Sequence, residues 1–220
     1  MRNRSTANEL EIYAVAGAHT AVLSFDFKLK PQGLLGFAIE RKDVKSGKRI
    51  WLSGQKCFRS VIPDPVPGQH YPTHLHPVQS FMWKDFTLVP GEKYIFKVTP
   101  VFGRPQQLSY GQPEEIGIEA EKEFGLKQAV YFNRGVSGSQ SFSEKFPDRK
   151  ISEMDDATKE RALKWLSRGL FEGLKAFIEG AKKDEHLYGV FYEFHEPRTL
   201  QLLSAAKKRG ASARASPPAR

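Results

Sequence analysis

The sequence predicts an α+β protein made of two unlike parts, an N-terminal antiparallel β-sandwich followed by an incomplete α/β segment. Up to about Gly103 the apolar residues come in short runs punctuated by proline and glycine, which suits strands. Beyond Arg104 to Glu123 the elements lengthen and alternate in type. The composition, 40% hydrophobic and 27% charged over 220 residues, leaves room for one large domain or two small ones and excludes global disorder. The predicted organisation is a disordered N-terminus over 1–9, a sandwich over 10–103, a linker over 104–126, an α/β segment over 127–210 and a disordered tail over 211–220.

The strand runs are Glu11 to Ala16, Ala21 to Phe27, Leu34 to Glu40 and Ile50 to Leu52, with Gln79 to Phe86 and Glu92 to Phe102 closing the sandwich. Leu23, Phe25 and Phe27 alternate with Val22, Ser24 and Asp26, so one pleated face is strongly apolar and needs a second layer. Lys45-Ser-Gly-Lys48 reads as a hairpin turn. Leu88-Val-Pro-Gly-Glu-Lys-Tyr94, followed by alternating Phe96, Val98 and Val101, resembles the corner of fibronectin type III domains. That resemblance implies a tyrosine ring packed inside, its hydroxyl bonded to a backbone group upstream.

In the second half, Ala129 to Phe132 suits a short buried strand. The glycine-containing stretch after it lacks the Gly-Lys-Ser/Thr of a phosphate loop and the three spaced glycines of a dinucleotide fingerprint. Ser152-Glu-Met-Asp155 has capping-box spacing and announces a helix to about Glu179, with Leu163, Leu166, Leu170, Leu174, Phe177 and Ile178 on one buried face. Leu187 to Phe194 reads as a central strand covered on both faces. Pro197 opens a last helix that Gly210 closes, with Lys207, Lys208 and Arg209 at its negative end. A returning parallel strand is then due. Residues 211–220 carry no β-branched or aromatic side chain and two consecutive prolines, so they are expected to stay out of a buried sheet.

Three segments carry a resemblance to the opening of a bacterial phospholipase D-like phosphodiesterase domain: Ala129 to Gln140, Ala162 to Leu170, and Gly189 to Pro197 running into Leu202 to Gly210. In such enzymes a His-x-Lys-x4-Asp motif, used twice, attacks phosphorus and protonates the leaving oxygen. The residues two places after His19, His70, His74, His76, His186 and His195 are Ala21, Pro72, His76, Val78, Tyr188 and Pro197, so the motif is absent and no catalytic residue is assigned. The resemblance implies a phosphodiester substrate, phospholipid or nucleic acid, only for intact relatives. Arg134, Ser139 and Gln140 would be its substrate-binding contacts, although a hydrogen-bonded surface loop is the better explanation of them. A truncated chain, inactive alone, is the expectation; a tail of Ala, Arg, Ser and Pro is what a shifted reading frame in GC-rich DNA gives. The alternative is a non-enzymatic binding module using the sandwich loops.

The formal charge of +9 raises nucleic-acid binding. Lys207, Lys208, Arg209, Arg214 and Arg220 supply five of the nine, and the rest of the chain carries an unremarkable excess, so no strong nucleic-acid signal remains. Cys57 is the only cysteine, which excludes an intrachain disulfide and a cysteine-built zinc site. His70, His74 and His76 form the one histidine cluster, a weak metal site that a proline-rich loop explains as well. No cofactor is implied. No apolar run reaches the ~18–20 residues of a membrane helix, and the first ten residues lack a secretory pattern, so the expected location is cytoplasmic. An unpartnered edge beside Leu187 to Phe194 predicts self-association.

Overall fold

Alternating burial along the strands sets two facing sheets in the first of two units, Met1–Ala129 and Val130–Arg220, into which the chain divides. The computed structural model describes residues 2–6, 9–29, 31–66, 68–123, 129–134, 142, 145–146, 150–191 and 195–216. β1 (Arg2–Ser5), β2 (Leu10–Ala16), β3 (Ala21–Phe27) and β8 (Met82–Asp85) form one antiparallel sheet in the order β1-β2-β3-β8. In β2 the side chains of Leu10, Ile12, Ala14 and Ala16 are buried while Tyr13 and Val15 face out, the period of two that a half-covered sheet requires. The expected disorder of residues 1–9 is corrected by β1, which pairs with β2 from Arg2↔Val15 to Ser5↔Ile12. A short polar strand is suited to an edge, where one partner suffices and arginines discourage another chain.

The second sheet runs β10-β9-β4-β5, built from β4 (Leu34–Asp43), β5 (Arg49–Trp51), β9 (Lys93–Arg104) and β10 (Gln107–Tyr110). β11 (Glu114–Glu119) continues the pairing along the same long β9. The expected linker over 104–126 is therefore corrected: most of it is sandwich. Ile116, Ile118 and Ala120 are buried in its core, but the glutamates alternating with them mask the period of two. The predicted turn closes β4 onto β5, with the Asp43 N–H donating to the Lys48 carbonyl at 2.9 Å. Phe25, Phe37, Ile39, Phe96 and Val98 fill the space between sheets, the rings of Phe25 and Phe37 lying 4.7 Å apart.

The tyrosine corner forms as expected. Tyr94 is 2% exposed, and its hydroxyl accepts the Val89 N–H at 2.9 Å, beside the buried Leu88. Below it, Arg41 on β4 and Asp85 on β8 occupy inward registers and join the sheets through an ion pair of 2.6 Å. Asp85 also accepts from the Thr87 backbone at 2.9 Å, and the guanidinium lies 5.2 Å from the Tyr94 ring centre. The two facing antiparallel sheets and this corner make the unit a β-sandwich with a tyrosine corner.

The second unit departs further from expectation. Ala129 to Phe132 does not form the predicted strand beyond a single bridge at Ala129. The Tyr131 ring instead lies against Gly169 and Gly173, which leave it room by lacking a side chain. The single helix announced at Ser152 is a short 3-10 turn (Ile151–Glu153) followed by two helices, α1 (Asp156–Ser167) and α2 (Leu170–Gly180). Asp155, not Ser152, is the N-cap, accepting from the Thr158 N–H at 2.9 Å. Arg168 and Gly169, both at positive φ, break the rod, and Ser167 Oγ caps α2 by accepting the Phe171 N–H at 2.7 Å. The expected buried face is correspondingly open: of its six residues only Ile178 is fully buried, and Phe177 is 69% exposed.

β12 (His186–Val190), α3 (Pro197–Lys208) and β13 (Ser212–Ser216) make a parallel strand-helix-strand unit, in register from His186↔Ser212 to Val190↔Ser216. The helix starts and stops as predicted, with Pro197 in its first turn and Glu196 accepting the Thr199 N–H at 2.6 Å. The expected disorder over 211–220 is corrected for Ser212–Ser216. A strand can be written in alanine, serine and arginine where its side chains are not buried, because the ladder needs only backbone groups. β12 is likewise no central strand: among the described residues it pairs with β13 alone, and Tyr188 and Val190 are 75% and 70% exposed. Among the described residues no helix is long and apolar enough to cross a membrane.

Candidate functional site

The richest grouping of aromatic, histidine and thiol side chains lies on the long connection between β5 and β8. β6 (Ser53–Gly54) and β7 (Tyr71–Pro72) pair to form the base of this strap. Thr73 then inserts beside β4, fully buried. Its hydroxyl accepts the Ile39 N–H at 2.9 Å and donates to the Ile39 carbonyl at 3.2 Å, while its own N–H donates to the Leu52 carbonyl at 2.8 Å. Val78 exchanges two backbone bonds with Phe37, at 2.8 and 2.9 Å. That close approach dictates Gly36, where a Cβ would sit 2.4 Å from the Val78 carbonyl oxygen. The strap is thus stapled to β4 at two points, and the residues between are held rather than free.

Those residues are His74, Leu75, His76 and Pro77. The His74 ring lies 4.7 Å from the Trp51 ring, and its carbonyl accepts the Tyr110 hydroxyl at 2.8 Å. Strap, β5 and β10 therefore meet at one place. Three large side chains stand partly in solvent there: Trp51 at 39%, Leu75 at 51% and Tyr110 at 50% exposed. Nearby, the His76 ring lies 5.3 Å from Tyr71 and 5.7 Å from Phe58, and its Nδ1 accepts the Phe58 N–H at 3.2 Å. With Nδ1 as acceptor, the neutral ring carries its proton on Nε2. Burial lowers the pKa of both histidines, and for His76 the neighbouring His74 adds to the effect. Burial also raises the Tyr71 phenol, helped by the adjacent Cys57. A pocket of about 250 Å³ opens beside them, lined among others by Cys57, Arg59 and His76.

The three histidines do not converge as a metal site. His70 is exposed, His74 lies tilted against the Trp51 ring, and His76 is packed between rings. Among the described residues no group of three or more His, Cys, Asp or Glu side chains is placed to hold a metal ion.

Arg134 stands in the second unit, where its guanidinium donates to the Trp165 carbonyl at 2.5 Å and lies 4.2 Å from that residue's ring centre. The position is the C-terminal turn of α1, where unpaired carbonyls favour a cation. Desolvation, and then the nearby Arg168, lower its pKa. Ser139 and Gln140 lie outside the described residues, so no convergence with Arg134 is seen.

Sequence reasoning missed Trp51, Thr73 and Tyr110, because their meeting depends on a strap crossing two strands. It also missed the Arg41 and Asp85 pair. A signal for it existed: Arg41 falls two places after Ile39 and four after Phe37, in the same inward register.

No protein-family model and no curated protein matches the sequence. Among solved structures, a computationally redesigned β-sandwich protein aligns over 50% of this chain and 90% of its own, at 11% identity and a TM-score of 0.30. The FN1–FN3 domains of chicken CNTN1 align over 55% of this chain and 33% of theirs, at 14% identity and a TM-score of 0.32.

Proposed function

We propose that the protein is a non-enzymatic interaction module whose sandwich presents the Trp51, Leu75 and Tyr110 surface to a protein partner. The observation that carries this is the fixing of His74, its ring against Trp51 of β5 and its carbonyl on the Tyr110 hydroxyl of β10, which brings three partly exposed large side chains together where the stapled strap meets both strands. Tryptophan and tyrosine dominate binding energy where a rigid surface presents them, because little side-chain entropy is lost on contact. The two histidines, whose pKa values burial lowers, support the reading from the other side. Their ring contacts and the Phe58 bond are structural, and the polar groups around them hold the strap in place.

The phospholipase D-like reading of residues 127–210 rests on sequence likeness alone, and the chain carries no His-x-Lys-x4-Asp motif in any frame of its six histidines. The test pairs two measurements on the full chain. Hydrolysis of bis(p-nitrophenyl) phosphate is expected to stay at background. A photoreactive amino acid at Leu75 is expected to crosslink one defined partner, whose purified form binds saturably and loses at least tenfold affinity to Trp51→Ala/Tyr110→Ala. Phosphodiester turnover abolished by changing one of this chain's own residues would overturn the reading, as would unchanged binding by the double variant.

A further inference from the structure

The second unit contains a cavity that neither the sandwich nor its partner surface accounts for. It measures about 330 Å³ and lies between α2, α3 and the β12–β13 ladder. Its walls are apolar, with Leu174 and Phe177 from α2, Leu187 from β12, Phe191 just beyond it and Leu203 from α3. Phe191 can fold back over the strand because position 189 is glycine; a Cβ there would lie 2.4 Å from the ring. Two cations also line the space, Lys207 from the last turn of α3 and Arg214 from β13. Neither is ion-paired among the described residues, although Arg198, Lys150 and Lys175 in the same unit each have a carboxylate.

An apolar cavity open to solvent on one side, with two cations unpaired among the described residues and no acid in its lining, selects an occupant that is apolar along its length and anionic at its end. A neutral apolar ligand would leave the charges unused, and a small hydrophilic anion would leave the leucine and phenylalanine walls wet. At roughly 30 Å³ per water-sized group the cavity holds about eleven heavy atoms, which matches a medium alkyl chain rather than a long one. We propose that this cavity binds a medium-chain carboxylate, its alkyl chain between α2 and α3 and its head group at Lys207 and Arg214. The Ser204 side chain, one turn before Lys207 and also in the lining, offers a hydroxyl donor at the same end of the cavity.

The test is calorimetric titration of the full chain with octanoate and decanoate below their micelle-forming concentrations, with 1-decanol and decyltrimethylammonium as neutral and cationic comparators. One-to-one saturation by decanoate is expected, with affinity rising about fourfold per methylene, the equivalent of ~0.8 kcal/mol for each buried CH₂. Decanol and the cation should bind at least tenfold more weakly. Lys207→Glu/Arg214→Glu should cost at least tenfold; both side chains are exposed, so the fold is not at stake. Ser204→Trp should block the cavity and abolish binding. Equal binding of decanol and decanoate, no dependence on chain length, or an unchanged charge variant would overturn the proposal. So would binding to phosphatidylglycerol vesicles without binding of monomeric decanoate. A concentration-dependent dimer on sedimentation that decanoate fails to dissociate would assign the cavity to a second copy instead.

Discussion

Removing the Asp85 carboxylate should be the most damaging single change in the sandwich. The side chain is 3% exposed and makes three bonds: 2.6 Å to the Arg41 guanidinium, 2.9 Å to the Thr87 N–H and 2.6 Å to the Thr87 hydroxyl. Asp85→Ala strands a guanidinium that is only 13% exposed and whose Nε already lacks a hydrogen-bond partner. Breaking a buried pair from one side costs about 3–5 kcal/mol, and the slight exposure of Arg41 argues for the lower end, ~3 kcal/mol. At a urea dependence of roughly 1.5 kcal/mol per molar, the midpoint should fall by about 2 M. Trp83, packed against the core on the same strand, reports the transition, and a Trp165→Phe background removes the signal of the second unit. The pair itself is not expected to be the source of stability, because two charges were desolvated to make it. Arg41→Met/Asp85→Leu should therefore recover to within about 1 kcal/mol of the parent. A loss below about 1 kcal/mol in Asp85→Ala, or a double variant as damaged as the single, would refute the reasoning.

Tyr94→Phe removes the hydroxyl that accepts the Val89 N–H and should cost about 1 kcal/mol in the same assay, with faster amide exchange at Val89. Gly36→Ala places a Cβ against the Val78 carbonyl at φ +148°, and should cost about 1–3 kcal/mol, read as lost exchange protection at Phe37 and Val78. His74 and His76 should make the sandwich acid-sensitive. Their folded pKa values lie below the unfolded value of about 6.5, so their contribution is complete above that pH. As the pH falls below it the unfolded chain takes protons first, and stability declines until the folded pKa values are passed. His74→Phe should flatten that decline in urea midpoints measured from pH 8 to pH 5.

The central strands of the sandwich were legible because they write the pattern locally. Ala21 to Phe27 is bounded correctly from alternation alone, and Leu88 to Tyr94 encodes a corner whose parts all lie within seven residues. What was not legible depends on registers between distant segments. β1 has no apolar alternation of its own and is fixed by β2 and by Asn3, whose side-chain amide donates to the Gly117 carbonyl at 2.8 Å. The meeting of Trp51, His74 and Tyr110 needs the strap, β5 and β10 placed together, and Thr73, which sets the strap, is an unremarkable threonine until its hydroxyl is found on both polar groups of Ile39.

The second unit shows why composition misleads about a strand that has one partner. Residues 211–216 were rejected as a sheet element because a central parallel strand is covered on both faces and needs valine and isoleucine there. That rule concerns side chains, whereas β13 is held by backbone bonds to β12 and by the burial of Ala211 with Ile178, Ala181 and Ala206. Small residues are what that junction admits: Ala206 is fully buried and Ala211 is 3% exposed. The same economy leaves the ladder narrow, so Leu174, Phe177 and Tyr188, which a wider sheet would cover, keep 39%, 69% and 75% of their surface. Apolar surface is left exposed here beside Lys207 and Arg214, neither of them ion-paired among the described residues, and solvent does not favour uncovered rings. An anionic amphiphile satisfies both at once, which ties the one feature that sequence patterning excluded, the return of β13, to the cavity that this strand helps to line.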